Sequence, residues 1–162
     1  MSTLTKDSDR ITYRLNLLTK MTIEANDHIF RDKTGLSILE IRILRLVDDN
    51  PGITFVELNK LAHLERSKTS RLIQSLVKAG LLERVNDSCD ARRFALYCTA
   101  AGSALRNRAR SLADGLENIL FQAFTAEQRS AFEAQLGGLL DWVHSNAYSD
   151  ALADWEKSCD GH

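Results

Sequence analysis

Proline is almost absent from this sequence: Pro51 is the only one in 162 residues. With so few breakers of the backbone N–H ladder, long stretches are free to be helical. Cysteine is scarce too. Cys89, Cys98 and Cys159 lack metal-ligand spacing, and any disulfide scheme leaves one of them over, which points away from zinc and from a disulfide framework. No apolar run approaches the roughly 18 residues that span a bilayer, so no membrane helix is expected. The polar stretch from Met1 to Asp9 carries acids and does not resemble a secretory leader, and a cytoplasmic protein is expected. There is no phosphate-cradling glycine loop and no nucleophile–base motif, and the Glu, His and Ser residues are scattered. The expectation is a protein that is not an enzyme and holds neither metal nor cofactor. Repeats and low-complexity tracts are also missing.

What the sequence does hold is an uneven charge. The net charge is −1, but it conceals three regions. Residues 1–59 are near neutral, residues 60–110 carry 11 Lys and Arg against 4 Asp and Glu, and residues 111–162 carry 2 against 9. A basic middle in an otherwise balanced chain suggests a polyanion partner, a solvated basic face being the plain alternative. Apolar residues make up 44% of the chain, which is ordinary for a folded protein.

The apolar spacing orders the elements. Ile11, Leu15, Leu18, Ala25 and Ile29 mark one face of a helix over 11–31, widened by Leu17 and Met21. Ser37 with Glu40 forms a capping box for a second helix, whose apolar residues run from Ile38 to Val47. Asp48-Asp49-Asn50-Pro51-Gly52 stops it. Thr54 with Glu57 caps a short helix with Phe55, Leu58 and Leu61 as its inward stripe. A further helix follows over 65–79, closed by Gly80. The period then changes: Leu82 to Val85 reads as a strand, and Phe94, Leu96 and Cys98 alternate as its return. Thr99 caps a long helix to about Phe124, a last one ends near Tyr148, and the acidic residues 149–162 are expected to fray. The fold class is mainly α with a small β-hairpin wing, a winged helix-turn-helix in 36–100 flanked by a helix in 1–35 and helices in 101–148, with the acidic tail in 149–162.

The 65–79 helix suits the major groove, which requires one anchored face and one face of hydrogen-bonding side chains. Arg66, Ser67, Lys68, Thr69, Ser70 and Arg71 crowd its N-terminal end. Arg71 has the reach for a guanine and Gln74 for an adenine, while the others suit phosphate or base edges. Arg92 and Arg93 follow the hairpin tip, where a guanidinium can enter the minor groove. Asp90 stands two residues earlier and can orient Arg92 by an ion pair.

On these residues the stretch from Leu36 to Gly102 resembles the multiple-antibiotic-resistance regulator (MarR) family of bacterial repressors. The resemblance lies in Leu64-Glu65-Arg66-Ser67-Lys68-Thr69-Ser70-Arg71-Leu72-Ile73 and in Leu76-Val77-Lys78-Ala79-Gly80-Leu81-Leu82. It lies also in the wing signature Asp90-Ala91-Arg92-Arg93, with Thr99 and Gly102 at the family's distances. It implies a helical dimerisation region, with dimerisation helices in 1–35 and 101–148 that build a homodimer, and a DNA-binding lobe in 36–100 that binds double-stranded DNA at a palindromic operator, usually as a repressor. Cys98 departs from the family's usual leucine; strand alternation places it with Phe94 and Leu96, as a small buried hydrophobe.

The resemblance also implies a switch. Many relatives respond to a small aromatic acid or phenol bound between the dimer helices and the lobe. Arg14, Leu17 and Met21, with Arg42 and Arg45, offer cations beside apolar surface for such a ligand, though core packing and solvated charge are the plain readings of each. His28 and His63 have the standing of surface or interface residues. The alternatives are a regulator switched by oxidation of Cys89 or Cys98, and a winged helix that binds another protein. No cysteine lies between Met1 and Ser88, against the first-helix redox scheme, and the basic 60–110 region weighs against the interaction module.

Overall fold

The computed structural model describes residues 10–86 and 94–159. It divides into two compact units, residues 1–116 and 117–162.

The first unit opens with α1 (Ile11–Thr34), closed by Gly35 at φ 76°, a left-handed cap that glycine adopts without penalty. α2 (Ile38–Asp49) starts on the expected capping box. A two-residue strand β1 (Ile53–Thr54) follows, and α3 (Phe55–Ala62) starts on the second box. α4 (Arg66–Lys78) comes after a three-residue turn whose His63 takes the left-handed conformation, φ 50°. β2 (Leu82–Asn86) and β3 (Phe94–Cys98) are antiparallel, with Leu82 opposite Cys98 and Asn86 opposite Phe94. β1 joins the other edge of β3, pairing Ile53 with Leu96, so the sheet runs β1-β3-β2. Sequence reading misses β1 because two residues show no alternation.

The core of this unit lies between α2, α3, α4 and the sheet. Ile43, Leu44, Leu58, Leu76 and Leu96 are fully buried at its centre. Leu61, expected inward, is exposed at the end of α3, while Phe30 near the end of α1 is buried. Leu17 is half-buried and Ile11 and Leu18 are exposed, so α1 shows little of the burial its apolar spacing suggests. α5 (Ala100–Leu120) begins where the sheet ends. Thr99 Oγ1 donates to the Gly80 carbonyl at 2.8 Å and accepts from Gly102 N–H at 3.0 Å. A Cβ on Gly102 would strike the Leu81 carbonyl, so only glycine lets α5 pass so near the backbone. Arg106 then clasps the end of α2 through Asp49 at 2.6 Å and Asp48 at 3.5 Å.

The second unit holds the end of α5, α6 (Ala126–His144) and α7 (Asn146–Cys159). Phe121, Phe124 and Phe132 cluster with ring centroids 5.6–6.4 Å apart, and Arg129 lies over Phe121 at 4.9 Å. The expected frayed tail from residue 149 is instead helical through Cys159. Its physical reason is Ser145, extended at ψ 153°, which ends α6 and whose Oγ accepts from Tyr148 N–H to start α7.

Candidate nucleic-acid interface

α4 is held by one face. Thr69, Ile73 and Leu76, spaced by four and three, are its buried stripe. Ser67, Arg71, Gln74 and Lys78 share the opposite side and are exposed, as are Arg66 and Lys68 on the flanks; Ser70 is half-buried. Thr69 corrects the sequence reading. It is 0% exposed and its Oγ1 donates to the Glu65 carbonyl at 3.2 Å, so it anchors the helix and presents nothing outward. Its place on the helix, four residues before Ile73, was the available signal.

The N-terminal end of α4 has a second property. Glu65, at the N-cap, makes no side-chain hydrogen bond to the helix, and no acid stands in the first turn. The first N–H groups therefore keep the partial positive charge of a helix start, a polarity that favours phosphate.

Residues missed by sequence reading join this end. An open cleft of about 830 Å³ is lined in part by Phe55 and Glu57 of α3, Arg66, Ser67, Ser70 and Gln74 of α4, Arg84 of β2 and Phe94 of β3. Four expected groove residues thus share a concavity with Arg84. The register could have revealed it: Arg84 lies opposite Leu96, one diagonal from Phe94 on the same sheet face. Asp90, Arg92 and Arg93, expected at the wing tip, lie outside the described residues, as does Cys89.

Glu40 of α2 fastens α4 by its flank. Its carboxylate accepts from Ser37 N–H at 2.8 Å, from Ser37 Oγ at 2.7 Å and from Ser75 Oγ of α4 at 2.7 Å. Burial pushes its pKa up, but these hydrogen bonds outweigh it and hold the carboxyl below its ordinary range. Asp27 on α1 accepts from Ile38 N–H at 2.8 Å and pairs with Arg31; the Ile38 bond leads in lowering its pKa.

The five residues considered for a small ligand are not gathered at the cleft. Arg14, Leu17 and Met21 follow one another along one face of α1, with Met21 58% exposed and Leu17 half-buried. Arg42 is half-buried and Arg45 exposed on α2. His28 is exposed on α1, and His63 serves as the left-handed cap of α3. Cys98 is half-buried, not fully buried, and its thiol donates to the Leu44 carbonyl at 3.6 Å. Burial, reinforced by Asp48, pushes that thiol up to about 12, far from the thiolate that reacts with oxidants. Among the described residues no helix is long and apolar enough to cross a membrane.

Residues 34–93 match the model of the MarR family. The chain is 26% identical over 102 residues to the HTH-type transcriptional repressor Rv2887 of Mycobacterium tuberculosis, covering 63% of this chain and 73% of that protein. It superposes on the MarR protein from Peptoclostridium difficile with a TM-score of 0.76 at 24% identity, covering 88% of this chain and 94% of the other. It superposes also on MepR of S. aureus, solved as a MepR–DNA complex, with a TM-score of 0.69 at 19% identity over 82% and 97% of the two chains. The structural likenesses carry the fold, a small antiparallel sheet set among helices.

Proposed function

From the match of residues 34–93 to the MarR family we propose that the chain is a DNA-binding transcription regulator of that family, a homodimeric repressor of a palindromic operator. The observation that carries this reading is the outward side of α4. Ser67, Arg71 and Gln74 project opposite the buried Thr69–Ile73–Leu76 stripe, so the side chains suited to base edges are those the core leaves free. In this reading Arg71 and Gln74 read bases, while Arg66, Ser67, Lys68 and Ser70 hold phosphates and fix register. Arg92 and Arg93 enter the minor groove, with Asp90 orienting Arg92.

Dimerisation is assigned to the terminal helices. Ile11 and Met21 on α1 are exposed in the first unit, and Leu139, Leu140, Trp142 and Trp155 in the second. A second copy related by a two-fold axis would cover these apolar surfaces and present two α4 helices to one DNA face. The test is footprinting on the DNA upstream of the chain's own gene. Two protected half-sites about one helical turn apart support the reading. A single protected half-site, or none, contradicts it.

Release is assigned to a small aromatic acid or phenol held near Arg14, Leu17 and Met21 of α1 and Arg42 and Arg45 of α2. The support is that apolar side chains and guanidinium groups occur together on two successive helices, α1 and the first helix of the lobe, α2. Such a ligand acts only if it binds the DNA-incompetent arrangement better than the competent one. Titration of aromatic carboxylates into the protein–DNA complex checks this, and unchanged affinity at saturation refutes it.

A further inference from the structure

The expected groove residues of α4 account for part of the cleft lining and leave Phe55, Arg84 and Phe94 unexplained. Two cations stand at the ends of an aromatic pair. The Arg66 guanidinium lies over the Phe55 ring at 4.9 Å, and Arg84 lies over the Phe94 ring at 3.7 Å. The rings meet each other at 6.4 Å, tilted by 56°. The ladder Arg66–Phe55–Phe94–Arg84 therefore joins the first residues of α3 and α4 to both wing strands.

Stacking has a chemical consequence that ion pairing does not. A guanidinium paired with a carboxylate has its donor fork occupied, whereas one lying on a ring is fixed in place while its in-plane N–H groups stay available. Among the described residues neither Arg66 nor Arg84 is in an ion pair. Both line the same open cleft as Ser67, Ser70 and Gln74. A cation fixed on β2 is thus presented on the same concave surface as the polar start of α4. A planar, always-charged fork with free donors suits a phosphate oxygen.

We propose that Arg84 is a further phosphate-contacting residue and that Phe55 and Phe94 are positioning residues, which make α4 and the wing base grip the nucleic-acid backbone as one unit. This rests on the reading of the chain as a DNA-binding protein. It assigns the two rings a role beyond core packing. Leucine would fill their space but would leave the arginine side chains free to wander, so the grip on phosphate would go while the fold stayed.

The experiment measures affinity of the full chain for a short mixed-sequence duplex over a series of salt concentrations, with thermal melting alongside. Wild type is expected to weaken steeply with salt; if it does not bind, the DNA-binding reading itself falls. Arg84→Gln should lower affinity on the order of tenfold and flatten the logarithmic salt dependence by about 0.9 for each phosphate no longer neutralised. Phe94→Leu should reproduce most of that loss, Phe94→Tyr should restore wild-type behaviour, and Phe94→Leu combined with Arg84→Gln should be no worse than Arg84→Gln alone. If wild type binds and folded Phe94→Leu keeps its affinity and slope, or if the two losses simply add, the proposal is overturned. Should Phe94→Leu fail to fold, Phe55→Leu with Arg66→Gln at the other end of the ladder is read in the same way.

Discussion

The two units of this chain bury their apolar side chains very differently. Among the described residues every fully buried side chain belongs to residues 10–116, where Ile43, Leu44, Leu58, Leu76 and Leu96 close a core of their own. Residues 117–159 bury none, and Leu140 and Trp155 are 53% and 65% exposed. The first unit can draw its stability from within; the second has apolar surface that only another surface can shield from water. Charge divides along similar lines, since the basic excess lies in residues 60–110 and the acidic excess beyond. The proposed function gives each region its counterpart, a polyanion for the first and a second copy's apolar surface for the other.

The sharpest way to break this contrast is to truncate one leucine in each region. Leu76→Ala empties a fully buried site and should cost about 2–5 kcal/mol in urea unfolding, whatever the protein concentration. Leu140→Ala should show its loss as dissociation on dilution, followed by analytical ultracentrifugation. A penalty at Leu140 independent of concentration would mean that the second unit is self-sufficient after all.

A smaller effect lies in the hydrogen bonds that Glu40 accepts from Ser37 and from Ser75 of α4. The carboxyl of Glu40 titrates lower in the folded chain than in the unfolded one, so its stabilisation is present above the ordinary carboxylate pKa and is lost as pH falls through the folded value. Below about pH 4.3 the lobe should weaken progressively, and Glu40→Gln should flatten this acid limb at a cost of about 1–2 kcal/mol at neutral pH. Denaturant titrations at several pH values check it. An unchanged acid limb in Glu40→Gln would remove Glu40 from the account.

The smallest effect compares two capping boxes, one in each unit. Thr54 and Thr125 each accept from the N–H three residues on, and Glu57 and Gln128 each return the bond. Thr54→Ala and Thr125→Ala should each cost about 1 kcal/mol, because a cap is local whatever surrounds it. Unequal losses, read by thermal unfolding at one protein concentration, would show that one helix start depends on more than its own box.

Local chemistry of this kind is what the sequence displays openly. The capping boxes at Ser37 and Thr54 follow from residue types three apart, and the hairpin follows from alternation at Phe94, Leu96 and Cys98. The outward face of α4 is legible because charge and hydroxyls gather there. Thr69 misleads because it is polar in type yet sits on the buried stripe, which its spacing from Ile73 and Leu76 signals and its chemistry does not. Arg84 and Phe94 come together once the hairpin register is known, but their meeting with Phe55 stays hidden because it needs three segments folded together, and no spacing along one element encodes it. Ser145 divides α6 from α7 through a hydrogen bond that a smooth apolar pattern does not foretell.

The central claim, that the outward face of α4 in the first unit meets DNA and the second unit does not, is tested most directly by the salt dependence of affinity for the upstream DNA. Wild-type chain, Arg71→Ala and Lys157→Ala are compared, the last removing an exposed cation of α7 paired with Asp154 at 3.0 Å. The account expects Arg71→Ala to lose about 1–3 kcal/mol of binding, and Lys157→Ala to match wild type in affinity and slope. Equal losses in the two variants, or none in Arg71→Ala, would contradict it.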